Sequence, residues 1–195
     1  IPEILYFWFE GVDDHTSIRQ NALPFRKWFT SDPQFDQDIR RRFEQDFKKA
    51  AAGEYAGWEE SAEGRLALIL LFDQFSRNMY RQTPRMYAAD PLALALTLRT
   101  ISEGYDQPLP LIQRMFVYMP LMHAEDLEIQ KKSLEYFGDI VRASQQICPR
   151  STFYFESTLG YARQHYATIE RLGRFPHRDR ILQRSMDKKE FKNIE

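Results

Sequence analysis

The stretch RLALILLFDQFSRNMYR occupies residues 65–81 and decides the fold. Its first part, Leu66 to Phe72, is apolar at every position, which predicts a helical segment that is buried on all sides. Polar residues then follow at helical spacing: Asp73, Gln74, Arg77, Asn78 and Arg81. On a regular helix that turns by about 100° per residue, Asp73 and Arg77 continue the face that leucines occupy a turn earlier. A stripe that begins as hydrophobic core therefore ends as ionic.

Charged side chains that enter a core need partners, because burying an unpaired charge costs several kcal/mol. Two interpretations of the polar part of this stretch, residues 73–81, meet this requirement. In one, it forms the floor of a cleft, where Arg77 and Asn78 contact a ligand. In the other, Asp73 and Arg77 form an ion pair that ties the helices together. The sequence alone leaves both open.

The neighbouring segments also carry helix signals. Apolar residues recur every four positions between residues 35 and 47, which predicts one helical stripe. Residues 92–98 alternate leucine with other residues as a strand would. However, Asp90 and Pro91 match an N-cap followed by a first-turn proline, and Gly104 lies just past the end. These caps and the intervening alanines favour a helix.

The second half of the chain is predicted to be helical as well. Pro120 should break or kink the helix that starts at Leu111. Further helices are predicted over Glu125 to Cys148, over Ser151 to Leu172 and after Ser185 or Asp187. Since the sequence has no strand pair or hairpin signal, we expect an all-α fold, a single compact domain of residues 1–195 with about eight helices.

The composition limits the partners and the compartment. Lys and Arg total 27 against 28 Asp and Glu, so no global field attracts nucleic acid or anionic lipid. The apolar run Met115 to Met122 is far shorter than the roughly 18 residues of a membrane span. Cys148 is the single cysteine, which excludes an intrachain disulfide and a zinc site built on Cys pairs. We expect a cytoplasmic protein without nucleic-acid or membrane partners.

A second polar cluster consists of His123, Glu125 and Asp126. His123 and Asp126 are three positions apart and share a face if His123 stands near the start of the long helix. Two acids at a helix start also complement its dipole, which explains them without any function. The histidine fits a buried or capping group as well as it fits a catalyst.

A third polar cluster combines His165 with the segment RLGRFPHR at residues 171–178. Here Arg174, His177 and Arg178 surround a phenylalanine and a proline, which predicts a loop pinned by proline. Such a loop can present several donors to one anion. The alternative is a basic surface loop that pairs with acidic residues nearby.

Motifs of common cofactor and metal sites are missing from the sequence. It contains no GxGxxG, no phosphate-binding GxxxxGK[ST], no HExxH and no GxSxG. We therefore predict no cofactor. A mononuclear metal site could in principle be assembled from His123, Asp126, His165 and His177, but no spacing among them selects one, and we predict no metal.

Three blocks of this sequence together resemble a known family. They are GRLALILLFDQFSRNMYR at 64–81, YMPLMHAED at 118–126 and GRFPHR at 173–178. With the opening YFWF at 6–9, the chain is similar over nearly its whole length to the bacterial domain of unknown function 924 family. The resemblance implies a helical fold with tetratricopeptide-like antiparallel helix pairs, and it implies no activity. Two positions depart from the family pattern, Ala124 where serine is common and Asp179 where asparagine is common.

We interpret the three clusters as one polar pocket for a small anion, the carboxylate or phosphate group of a small molecule or a peptide terminus. The candidate ligand-binding residues are Asp73, Arg77, Asn78, Arg81, His165, Arg174 and Arg178. The candidate catalytic residues are His123, Glu125, Asp126 and His177. If the pocket is catalytic, a histidine transfers a proton, and Glu125 or Asp126 sets its tautomer. The sequence leaves open whether any reaction occurs.

Two other interpretations remain at this point. The protein is either a helical-repeat domain that binds a protein segment without catalysis, or the clusters are structural ion-pair networks. In the first case exposed aromatic residues line a groove, with Trp8, Trp28, Trp58 and Tyr80 as candidates. The aromatic content also permits a homodimer interface without requiring one. Convergence of the three clusters around one cavity favours the pocket.

Overall fold

The computed structural model describes residues 1–16 and 27–184. Within these ranges it has nine complete α-helices and no strand: α1 Pro2–Phe9, α2 Pro33–Ala51, α3 Ala62–Ile69, α4 Ser76–Met79, α5 Asp90–Ser102, α6 Leu111–His123, α7 Leu127–Ile147, α8 Thr152–Leu172 and α9 Pro176–Leu182. Short 3₁₀ turns occupy Ala56–Glu60, Pro84–Tyr87 and Pro149–Ser151, and a π-helical segment, Leu70–Phe75, joins α3 to α4. The prediction of an all-α fold is confirmed.

Side-chain caps start several of these helices. The carboxylate of Asp32 accepts from two backbone N–H groups at the start of α2, and the hydroxyl of Ser61 accepts from Gly64 N at the start of α3. Asp126 caps α7 by accepting from Ile129 N at 2.9 Å. These bonds satisfy amide groups that a helix end otherwise leaves without partners.

The core is built around the segment that the sequence marked as apolar. Every residue from Leu66 to Phe72 is at most 6% exposed, which confirms the predicted burial on all sides. An aromatic cluster packs against this segment from α1, α2 and α6. Its fully buried members are Trp8, Phe43, Phe75 and Phe116. On the other side, α7 packs along both α6 and α8. A tetratricopeptide-like arrangement of these pairs stays a prediction.

Three expectations about local structure are wrong: a break at Pro120, the place of His123 near the start of α7, and the loop after Gly173; a kink at Pro120 stays a prediction. Pro120 lies inside α6, and the helix continues past it to His123. His123 therefore ends α6 and does not stand near the start of α7, so it shares no helical face with Asp126. The predicted loop after Gly173 is also wrong, because Pro176 occupies the first turn of α9, where a missing N–H costs nothing. The short helix predicted after Ser185 or Asp187 lies outside the described residues.

Asp90 has a different role from the predicted one. The residue before it, Ala89, is the N-cap of α5, and no side chain bonds to the free amides there. The Asp90 carboxylate instead contacts Arg77 and Arg178. Among the described helices, none combines the length and the apolarity that a membrane crossing requires.

Candidate functional site

The three polar clusters meet around Asp73 and His123. The Asp73 Oδ1 atom lies 2.7 Å from His123 Nδ1 and 3.2 Å from Arg77 Nη1. Arg178 Nη2 of the third cluster donates to the His123 carbonyl at 2.9 Å. The ring of His165 is centred 6.4 Å from that of His123. Helix packing therefore brings members of all three clusters together.

The π-helical segment sets the position of Asp73. Within it, the carbonyl of Phe72 accepts from Ser76 Oγ at 2.6 Å, and the carbonyl of Asp73 accepts from Arg77 Nη1 at 2.6 Å. Such segments are rare and frequently lie at functional sites. Because the sequence was interpreted with a regular helical period, this widened turn was not predicted.

The backbone around His123 is held from two neighbouring helices. Gln130 of α7 is fully buried, and its Nε2 donates to the carbonyls of Met122 at 2.7 Å and Ala124 at 2.8 Å. Ala124 itself is extended, so the chain turns out of α6 directly after the histidine. Arg178 of α9 donates a hydrogen bond to the His123 carbonyl. His123 is thus a fixed group at the end of a helix.

The charges around Asp73 and His123 determine the protonation state of both side chains. Burial raises the pKa of Asp73, but Arg77 and His123 outweigh it and hold that pKa well below its usual range. Burial lowers the pKa of His123, and the Arg77 charge lowers it further against the opposing effect of Asp73. We therefore assign a neutral imidazole that donates Nδ1–H to Asp73, which leaves Nε2 as an acceptor without a partner among the described residues.

Asp73 thus takes the role that the sequence analysis gave to Glu125 or Asp126, and that expectation is wrong. Glu125 instead accepts from Phe175 N at 2.8 Å and forms two bonds with Arg184, at 2.9 and 2.7 Å. These bonds hold the pKa of Glu125 below its usual range against the effect of burial.

Two acidic residues that were not among the predicted site residues complete the ionic network. Asp90 lies 2.9 Å from Arg77 Nη1 and 3.3 Å from Arg178 Nη1, and burial raises its pKa. Asp36 of α2 forms a bidentate pair with Arg81, at 2.5 and 2.8 Å, and accepts from Asn78 Nδ2 at 2.7 Å. Nothing in the sequence indicated that these two residues bind the arginines beyond their being acidic, because each partner is distant in sequence.

A small recess lies between the arginines and His123. We call it the arginine recess; it has a volume of about 180 Å³, and its walls include Gln74, Arg77, Asn78, Arg81, Met119 and His123. Two donors on its walls, Arg77 Nε and Arg81 Nη1, have no acceptor among the described residues. Neither atom is sealed inside the protein. The recess therefore has guanidinium donors that the protein itself leaves unused.

A larger cavity of about 440 Å³ lies on the other side of His123, next to Asp90 and Arg178. Its charged groups are mostly satisfied by one another. The Arg178 guanidinium bonds to Asp90 and to the His123 carbonyl, and it lies between the rings of Tyr87 at 4.6 Å and Phe175 at 4.7 Å. Burial lowers the pKa of Arg178. These contacts hold the Arg178 guanidinium in place, while its buried Nε has no hydrogen-bond partner among the described residues.

The remaining predicted residues lie around this centre rather than in one pocket. Arg174 pairs with Asp179 at 3.0 Å. His165 Nδ1 is 2.9 Å from the Tyr161 carbonyl, and the His177 ring is centred 5.6 Å from that of Phe175. The four arginines of the anion hypothesis therefore do not converge on one point. In the part of the chain that the structure describes, no group of three His, Cys, Asp or Glu residues is placed to hold a metal ion.

Comparison with known proteins agrees with the sequence blocks. The family model described as a bacterial protein of unknown function, DUF924, matches residues 4–195. The chain belongs to the DUF924 family. Among solved structures, this DUF924 chain is similar to the protein of unknown function ATU0120 from Agrobacterium tumefaciens, with 36% sequence identity and a TM-score of 0.76. That similarity covers 100% of this chain and 96% of the other, whereas the comparison with curated proteins finds no match.

The two departures from the DUF924 pattern fall at different kinds of position. Ala124 is on the wall of the cavity beside Asp90, directly after the histidine. Asp179 is 1% exposed and lies between two arginines, Arg174 at 3.0 Å and Arg184 at 3.7 Å. A carboxylate there balances the charge of both, which a neutral asparagine does not do.

Proposed function

We propose that this DUF924 protein binds a small anion, a carboxylate or phosphate group, in the arginine recess. The observation that carries the proposal is the pair of unused donors, Arg77 Nε and Arg81 Nη1, on the walls of the recess that His123 also lines. Guanidinium donors suit such oxygens geometrically, and each charge-assisted bond contributes about 1.5–3 kcal/mol.

The charge balance of the network supports this choice of site. Asp36 neutralises Arg81, and Asp73 and Asp90 flank Arg77, so the fold holds both guanidinium groups in place before a ligand arrives. A ligand then gains donors without the cost of ordering them, which is the usual benefit of a preorganised site. The acids also lower the net attraction, so we expect affinity in the micromolar to millimolar range rather than tighter.

Isothermal titration of the protein with inorganic phosphate and with acetate tests the proposal. We expect Arg81→Gln to weaken binding of whichever anion binds by about tenfold or more, since one charge-assisted contact is lost. Arg99→Gln is the matched control, because Arg99 forms a comparable exposed pair with Glu59 away from the recess. Equal affinity in the wild type and in Arg81→Gln, or no binding of either anion, would overturn the proposal.

The Asp73–His123 pair favours a second candidate function, acid–base catalysis on the bound anion. A neutral imidazole whose Nδ1–H is held by a buried carboxylate presents Nε2 as a general base, as in other His–Asp pairs. The variant His123→Asn separates binding from catalysis. We expect it to abolish turnover of any substrate that the wild type converts, while its affinity for the anion at pH 8 stays within about threefold of the wild-type value. Retention of turnover in His123→Asn excludes this role.

The alternative of a protein-interaction domain was based on four aromatic residues being exposed, and most of them are buried. Trp8, Trp28 and Tyr80 are 0%, 6% and 5% exposed, and Trp58 is only half-buried against Tyr55. The prediction that these residues line an open groove is wrong for the three buried ones.

A further inference from the structure

A second cavity adjoins the arginine recess. It has a volume of about 440 Å³ and lies between α6, α8 and the segment at residues 29–30. Four residues line both spaces: Phe29, Thr30, Met119 and His123. The recess and this cavity are therefore adjacent, with His123 on the wall of both, and we call the two together the groove.

The two parts of the groove differ in chemistry. The described lining of the larger part contains no Asp, Glu, Lys or Arg, and we call it the apolar cavity. Its walls include Met119, Met122, Tyr154, Thr158 and Tyr161. The recess, by contrast, holds the two guanidinium groups and two amides. Apolar ligand atoms gain most where the wall offers methyl and aromatic groups, and methionine adapts its shape to them.

We propose that the ligand is an amphiphilic monocarboxylic acid, with its carboxylate in the arginine recess and its aliphatic body in the apolar cavity. This inference rests on the proposed function and names the class of molecule that the same site takes. Such a ligand spans both spaces past the wall residues that they share, Met119 and His123 among them. The neutral imidazole of His123 lies beside the junction of head and body.

A series of acids tests the inference by isothermal titration: acetate, butanoate, hexanoate and octanoate, with inorganic phosphate and 1-octanol as references. Each CH₂ that becomes buried is expected to lower the dissociation constant about fourfold, until the cavity is filled. We expect the Arg81→Gln protein to bind every acid more weakly with the same dependence on chain length, because the head and the body are held by different walls.

A second readout locates the aliphatic body. In spectra of the protein labelled with [¹³C-methyl]methionine, hexanoate should shift the signal of Met122, which lines only the apolar cavity, and acetate should not. Met86, in the 3₁₀ turn Pro84–Tyr87 and outside both spaces, is the internal control. This readout requires no variant that disturbs the core.

The outcomes separate this inference from the proposed function. Equal affinity for acetate and octanoate, or a Met122 signal that hexanoate does not move, overturns the amphiphilic ligand while leaving anion binding intact. Binding of 1-octanol as tight as that of octanoate also overturns it, because the carboxylate then contributes nothing. Absence of binding for phosphate and every acid overturns the proposed function as well.

Discussion

Replacing Asp73 by asparagine removes one charge and almost no volume. Asp73 is 1% exposed and is shared by Arg77 at 3.2 Å and His123 at 2.7 Å. Breaking a buried ion pair by removing one partner costs about 3–5 kcal/mol, because the other charge stays buried. Arg77 keeps Asp90 at 2.9 Å, so we expect the lower end, about 3 kcal/mol of unfolding free energy.

Urea unfolding and calorimetry measure this loss. For a chain of this length, 3 kcal/mol corresponds to a fall in Tm of about 6–12 °C. Asp139→Asn is the matched control, because Asp139 pairs with Arg142 on an exposed face of α7, and we expect a change within about 0.5 kcal/mol. If Asp73→Asn loses less than about 1 kcal/mol, Asp73 is not the anion that holds the arginine and the histidine in place.

Three further predictions concern the surroundings of the site. The lowered pKa of His123 means that the unfolded chain binds its proton more tightly, so stability falls as the pH drops through about 6.5; urea unfolding of His123→Asn at pH 5 and 8 should show a smaller fall. Gly64→Ala places a Cβ in steric clash with the Trp58 carbonyl oxygen and should cost about 1–3 kcal/mol, whereas Gly160→Ala, with open space, should raise Tm. Gln130→Leu removes both donors to the carbonyls beside His123 and should cost about 2 kcal/mol by urea unfolding; a neutral result would show that water replaces them.

The helical fold and the meeting of the clusters were within reach of the sequence. The all-apolar run Leu66 to Phe72 is buried as its composition requires, and the polar residues that follow it at helical spacing enter the same core. Burial of such charges demands partners, which is why distant polar clusters on other helices meet there. The ends predicted for the two long helices, Glu125 to Cys148 and Ser151 to Leu172, lie within two residues of those of α7 and α8.

The partners of the arginines were beyond sequence reasoning. An aspartate before a proline has a complete local explanation as an N-cap, so nothing pointed to Asp90 as an acceptor for two arginines. Asp36 lies 45 positions from Arg81 and sits on an otherwise ordinary amphipathic helix. Pairings of this kind are decided by the packing of whole helices, which one sequence does not specify.

Prolines and the widened turn were the other sources of error. The helix continues through Pro120, whose missing N–H would have bonded the Phe116 carbonyl, and the next carbonyl, that of Val117, accepts from the buried Thr97 hydroxyl of α5 at 2.9 Å. A proline inside a buried helix is tolerated when other groups take up the backbone polarity. The π-helical segment at residues 70–75 could not be detected from the apolar pattern. Every residue in it is buried, so no exposed position marks the change of helical period.

The state of His123 connects the ionic network to the proposed ligand. Long-range ¹H–¹⁵N correlation spectra of its imidazole, recorded at pH 7.5 with and without acetate, measure that state directly. We predict the tautomer protonated at Nδ1, with an Nε2 resonance that moves on addition of acetate in the wild type and much less in Arg81→Gln. A ring protonated at Nε2, or an Nε2 resonance that stays in place at saturating acetate, would contradict the arginine recess as an anion site beside a His–Asp pair.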